Sequence, residues 1–280
     1  MKRMEFHYRL AWRTDGVQPG AHPSRHGGGV HAFLRLVPFQ AHPDPRRLDL
    51  RVSLGDPAGQ FWVRLHEQRG RISVHALADL SASMGYRGRE SKTALLADFI
   101  EGLALSSNRT GDAMGFIGLS DRSSPDFLLP PTRQVGAALN LAQSLRGFQP
   151  RGGSARGLLH AIRYLRSRRG LVFLLSDFHF PLSFLKQLME SLAHHDVVPV
   201  VLWDPEESSP EASGLARMQD MESGMERLMW LRPALRTRLS QTFQERRVRL
   251  IAMLRGFGRE PLFLSGGFDP DAVTRYFHAG

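Results

Sequence analysis

The 280-residue sequence has no cysteine, which excludes disulfides and thiolate metal sites and leaves oxygen or imidazole to hold any metal. It has no apolar run long enough to span a bilayer, and Met1-Lys2-Arg3-Met4-Glu5 leads into alternating polar and apolar residues, not a signal-peptide core. A cytoplasmic location without a transmembrane segment is the expectation. Gly-x-x-x-x-Gly-Lys-Ser/Thr is absent, so neither Gly27-Gly28-Gly29 nor Gly152-Gly153 reads as a nucleotide cradle. A Gly-x-Ser-x-Gly elbow for a serine nucleophile is absent too, as are internal repeats and low-complexity tracts.

What is present suffices for a globular α/β protein: 42% of residues are hydrophobic. The formal charge of +10 comes mainly from arginine, concentrated between Arg163 and Arg169 and from Arg246 to Arg259. No stacking aromatics interleave with these clusters in a binding motif, so a solvated helix face or an acidic protein partner is the plainer reading than nucleic acid. His22, His26, His31 and His42 are dense but lack the compact spacing of a zinc motif. His194-His195-Asp196 reads as a turn between a helix and a strand.

Along the chain, Glu5 to Arg13 alternates Phe6, Tyr8, Leu10 and Trp12 with polar residues, which predicts a half-buried strand. Asp15 to Gly29 is turn-rich. Strand-like runs follow at Val30–Phe39, Leu48–Ser53 and Phe61–Gln68, with nothing helical before Arg71. Residues 1–70 are therefore expected to form an antiparallel β region packed on a core domain of residues 71–280. In Asp44-Pro45-Arg46-Arg47-Leu48-Asp49 the carboxylates could serve an interface or internal salt bridges.

From Ile72 onward strands and helices alternate. Strands are predicted at Ile72–Leu77, Ala113–Leu119, Leu171–Leu175, Val197–Trp203 and Pro261–Ser265, with a short extended piece at Phe127–Leu129 before Pro130-Pro131. Helices are predicted through Leu95–Ala104, Thr132–Leu145, Leu158–Leu165, Ser183–His194 and Asp269–Phe277. A long basic helix from Pro233 carries Leu235, Leu239, Phe243, Val248, Ile251 and Leu254. This rhythm predicts a doubly wound, mainly parallel sheet, interrupted by an inserted hairpin at 215–232 that turns at Ser223-Gly224.

One stretch carries chemistry. Asp79, Ser81 and Ser83 directly follow a core strand, Ser154 opens a helix, and Asp177 ends a later strand. Such loops converge on one edge of a doubly wound sheet, where ligands bind. Two carboxylates and three hydroxyls make an incomplete oxygen shell for Mg2+ or another hard divalent cation. Ser154 could equally be a helix cap, which needs the same hydroxyl in the same place.

Asp79-Leu80-Ser81-Ala82-Ser83 resembles the Asp-x-Ser-x-Ser signature of the metal-ion-dependent adhesion site of von Willebrand factor A domains. That resemblance implies a further hydroxyl ligand, mapped to Ser154, and a second Asp, mapped to Asp177. Over most of the chain, Asp44 to Asp49, Gly111-Asp112-Ala113-Met114-Gly115, His195 to Pro199 and Asp204-Pro205-Glu206 resemble the bacterial domain-of-unknown-function family fifty-eight, which carries a von Willebrand A-like domain. Its members are often encoded beside MoxR-type AAA+ ATPases, and the MxaS-like ones lie in methanol-oxidation clusters. Larger members carry two amino-terminal membrane helices, which this sequence lacks.

The resemblance implies a non-enzymatic adaptor whose metal completes its shell with a partner's carboxylate, working with a MoxR-type ATPase in chaperone-like maturation of a client. A methanol dehydrogenase system is one such client. The alternatives are a magnesium-dependent phosphohydrolase, for which no nucleophile or general base is evident, and nucleic-acid binding through the basic carboxyl-terminal helix.

Overall fold

Arg9–Ile72 with Thr110–Asp112 form one compact unit, and Met1–Tyr8, Ser73–Arg109 and Ala113–Gly280 form another. The computed structural model describes residues 4–14, 19–27, 33–86, 88–165, 168–208, 214–219, 226–231 and 233–279.

The first unit contains strands β1 (Pro19–Gly27) and β2 (Phe33–Pro38), helix α1 (Leu50–Leu54) and strand β3 (Trp62–Gly70). Its sheet has the order β1-β3-β2, with both pairings antiparallel. In β3, Val63 and Leu65 are buried on either side of exposed Arg64, the period-two pattern of a one-faced strand.

Two expectations are corrected in this unit. The supposed turn from Asp15 contains β1, whose register slips beside Pro19 and Pro23. As an edge strand it tolerates prolines that supply no ladder donor. Leu48–Ser53 is not extended but leads into α1, because Asp49 caps that helix by accepting the Val52 amide at 3.2 Å. Asp44 likewise caps a 3-10 turn over Pro45–Arg47 and pairs with Arg47, while Asp49 pairs with Arg64. Asp112 accepts from the Ile72 amide and lies 2.7 Å from His22 Nε2, so His22 has a structural partner. His31 lies outside the described residues.

The second unit runs β4 (Ser73–Asp79), α2 (Lys92–Thr110), β5 (Ala113–Leu119), β6 (Phe127–Thr132), α3 (Val135–Gly147), β7 (Leu171–Ser176), α4 (Leu182–Ser191), β8 (Asp196–Leu202) and α5 (Pro205–Ser208). It continues with β9 (Gly214–Gln219), β10 (Glu226–Leu231), α6 (Pro233–Gly256), β11 (Leu262–Leu264) and α7 (Pro270–His278). Six strands form the sheet β11-β8-β7-β4-β5-β6, parallel except for β6. The β9–β10 pair is a separate antiparallel ribbon, and its predicted turn lies outside the described residues.

Helices cover both sheet faces. On one, Phe173 packs edge-on against Phe99 of α2 and near Phe277 of α7. On the other, Val172 and Leu174 join Leu185 and Leu188 of α4 and Leu250 and Leu254 of α6. The chain builds outward from β4 through β5 and β6, then returns to place β7, β8 and β11 on its other side. The switch point falls at β4, whose carboxyl end carries Asp79.

Four further expectations change here. Residues 4–10 make no ladder with the described residues: Phe6 and Tyr8 are buried, but the Phe6 amide donates to Ser106 Oγ at 2.9 Å and its ring packs among Phe99, Phe173 and Phe268. An extended chain alternates sides whether or not a strand pairs with it. β6 runs on through Pro130-Pro131, which its edge position permits. The helix after Ser154 is a 3-10 helix, Arg156–Tyr164. Gly157 lets it approach β5 closely, with its amide 3.0 Å from the Ser120 carbonyl and no room for a Cβ against that oxygen. In α6, Val248 faces solvent and Leu250 takes the buried position.

Candidate metal centre

Ala78 of β4 pairs with Leu175 of β7, so Asp79 and Ser176 end their strands side by side at the carboxyl edge. Ser176 Oγ donates to Asp79 Oδ2 at 2.7 Å, and the Ser81 amide donates to Asp79 Oδ1 at 2.9 Å. Both Asp79 and Ser81 are buried. A 3-10 turn over Ala82–Gly85 follows and sets Ser83 Oγ 3.2 Å from Ser81 Oγ.

Asp177, buried one residue past β7, accepts the His179 amide at 3.2 Å on Oδ1. Between them Phe178 has φ of 53°, a left-handed backbone rare for a bulky residue, and its ring is fully buried. The strained loop is tied down from two sides: Trp203 Nε1 donates to the Asp177 carbonyl at 2.7 Å, and Arg246 of α6 reaches the carbonyls of Phe178 and Phe180. Part of the basic helix is therefore engaged internally. Arg247 stacks over Phe263, and Arg255 forks onto Glu260.

Ser154 enters from a third loop. Gly152, two residues before it, has φ of 98°, and its carbonyl accepts the Ala82 amide at 3.2 Å, which joins this loop to the Ser81–Ser83 turn. The following 3-10 helix has Ala155 at its N-cap with no side-chain capping bond. Half-buried Ser154 stands one residue before that N-cap position, and its hydroxyl makes no bond to the helix among the described residues. A cleft of about 530 Å³, lined by Ser120, Asp121, Arg122, Asp126, Arg151 and Gly152 among others, borders the same loop.

The electrostatics of the two carboxylates differ. Burial, then the charge of Asp177, pushes Asp79 up to about 6, against the pull of its bonds to Ser81 and Ser176. Burial would raise Asp177 as well, but the Lys92 ammonium and His179 outweigh it and hold Asp177 below the usual carboxylate range. Lys92, 2% exposed, bonds Asp177 Oδ2 at 2.9 Å and also contacts Glu207. Its burial favours the neutral amine, yet the charges of Asp177 and Glu207 prevail and raise its pKa.

The donor set fits a hard divalent ion. Hydroxyl oxygens 3.2 Å apart lie close to the edge, about 3 Å, of an octahedron with Mg–O bonds near 2.1 Å. A buried carboxylate pushed toward neutrality is also one that a cation would return to its charged form. Among the described residues no group of three or more His, Asp and Glu side chains could hold a metal, so any ion here would need ligands besides those side chains. Sequence reasoning brought Asp79, Ser81, Ser83, Ser154 and Asp177 to this edge but missed Lys92, Ser176, Glu207 and Arg246. Only Ser176 had a local signal, as the residue preceding Asp177.

The protein described as Uncharacterized protein Rv1480, from Mycobacterium tuberculosis (strain ATCC 25618 / H37Rv), is 30% identical over 106 residues, 38% of this chain and 33% of its own length. Among solved structures, conserved hypothetical protein BatB from Bacteroides thetaiotaomicron aligns over 74% of this chain and 98% of its own, at 14% identity and a TM-score of 0.46. An aerotolerance-related membrane protein from Bacteroides fragilis aligns over 74% and 97%, at 14% identity and a TM-score of 0.43. No helix among the described residues of the present chain is long and apolar enough to cross a membrane. Residues 38–249, well over half of the chain, match the family described as protein of unknown function DUF58, and the chain belongs to that family.

Proposed function

We propose that this chain is a non-enzymatic, metal-dependent protein-binding adaptor. A divalent ion held by Asp79, Ser81, Ser83 and Ser154, with Asp177 beside it, would take its remaining ligand from a partner's carboxylate, in the manner of a von Willebrand factor A adhesion site. The observation that carries this reading is the Ser81–Ser83 hydroxyl pair at octahedral-edge spacing beside the buried Asp79. By family resemblance the partner is a MoxR-type AAA+ ATPase in the cytoplasm, and the pair acts in chaperone-like maturation of a client such as a methanol dehydrogenase system. The chain holds the ion and the partner supplies the missing charge, so binding requires both.

The test is association of the purified chain with that ATPase in magnesium and in excess chelator, with Asp79→Ala alongside. Loss of binding in chelator and in the variant is the expected result. Equal binding in all conditions would overturn the metal bridge. Phosphoester turnover that disappears in Asp79→Asn would instead make the protein a hydrolase.

A further inference from the structure

Lys92 is the first residue of α2, and its ammonium occupies the ground that faces Asp177. Nζ bonds Asp177 Oδ2 at 2.9 Å, contacts Glu207 Oε1, lies 3.4 Å from the Ser83 carbonyl oxygen and sits 5.6 Å from the centroid of the Tyr86 ring. A buried ammonium needs such partners, since desolvation disfavours its charge. The site thus already contains a cation, covalently tethered.

Its position is built in from both sides. Asp204, two residues past β8, accepts the Glu90 amide at 3.0 Å with Oδ2 and the Glu206 amide at 2.8 Å with Oδ1. Gly88 leaves no space for a Cβ against the same carboxylate. The chain entering α2 is thereby clipped to the segment Asp204-Pro205-Glu206-Glu207, which brings Lys92 and Glu207 together. Glu207 has spare capacity: its Oε2 is buried with no hydrogen-bond donor among the described residues, and His179 Nε2 lies 3.5 Å away.

We infer that Lys92 is a tethered counter-cation that competes with the divalent ion for Asp177. This rests on the metal reading and deepens it. While Lys92 holds Asp177, the ion is bound by Asp79 and the hydroxyls alone, and the site is weak and exchangeable. When Lys92 moves wholly onto Glu207, Asp177 is released to the ion, directly or through a bound water. Lys92 is a positioning residue here, because it acts through Asp177 and not on the ion.

The experiment measures Mn2+ affinity by the free-ion electron paramagnetic resonance signal in the full chain and in two backgrounds. Lys92→Met leaves two buried carboxylates without their ammonium and can impair folding, so the second background is Lys92→Met with Glu207→Gln, which removes the Lys92–Glu207 pair together. That double variant is expected to bind Mn2+ at least about tenfold more tightly than wild type. Adding Asp177→Asn should cost less than about threefold in wild type but at least about tenfold in the lysine-free background. Equal cost in both backgrounds, or no tightening without the lysine, would overturn the competition while leaving an ion site that depends on Asp79. If neither wild type nor the lysine-free chain binds Mn2+ at millimolar concentration, the metal centre itself fails and the competition with it.

Discussion

Ser176 Oγ donates a 2.7 Å hydrogen bond to Asp79 Oδ2, linking the ends of two adjacent parallel strands across 97 residues of sequence. The bond follows from register: with Ala78 opposite Leu175, the next residue on each strand meets its counterpart at the sheet edge. Ser176 Oγ also accepts the Phe178 amide at 2.9 Å, so one hydroxyl positions Asp79 and the strained loop after Asp177 together.

The burial of Asp79 sets a pH dependence. Its carboxyl titrates at about 6 in the fold against an ordinary 3.8, so the folded state holds its proton to higher pH than the unfolded one. Without metal, stability then falls as pH rises from about 4 to about 6 and levels off above, a loss of about 3 kcal/mol. Urea denaturation in chelator should show Asp79→Asn gaining on wild type across this window. A difference that shrinks with rising pH would refute this.

Ser154→Ala separates ligand from cap. Because the hydroxyl makes no capping bond, stability should change by less than about 0.5 kcal/mol, while Mn2+ affinity falls about tenfold or more. The opposite pattern, a stability loss of about 1 kcal/mol with affinity intact, would restore the capping role.

Phe6→Ala should destabilise the second unit by about 3–5 kcal/mol, because the ring is fully buried among Phe99, Phe173 and Phe268. Phe6→Leu should recover most of that loss. Thermal unfolding of the two variants checks whether this segment acts as core packing.

His195 should contribute to acid sensitivity. Burial, then neighbouring His194, holds its pKa below 6.5, and its Nδ1 is buried with no hydrogen-bond partner among the described residues. The unfolded state protonates first, so this contribution is full above pH 6.5 and is lost as pH falls through the folded pKa. His195→Gln should flatten the stability curve on that acid side. An unchanged slope, with the wild-type imidazole titrating normally by NMR, would contradict it.

Much of the second unit was legible because its signals are local. The stripe Leu95, Leu96, Phe99, Ile100, Leu103 and Ala104 is buried in α2, and the apolar run from Leu171 is the fully buried β7. β1 and α1 were not legible: one depends on pairing with a distant strand, and the other is a five-residue turn whose apolar residues mimic a strand. Ser154 was ambiguous for a different reason. A hydroxyl before a helix has the same local pattern whether it caps or ligates, and the cap geometry, with Ala155 at the N-cap, bears on the first role alone.

The sequence by itself determined the alternation of strands and helices, the Asp79-x-Ser81-x-Ser83 loop and the acidic end of β7, because each is written within a few neighbouring residues. Tertiary structure alone decided that Lys92 faces Asp177 and Glu207, that Arg246 braces the Phe178 loop, and that Ser176 holds Asp79. Those contacts join residues 68 to 115 positions apart, taking Lys92 to Glu207 as the longest. Strand register and the packing of helices on the sheet set them, and neither is encoded in a local period.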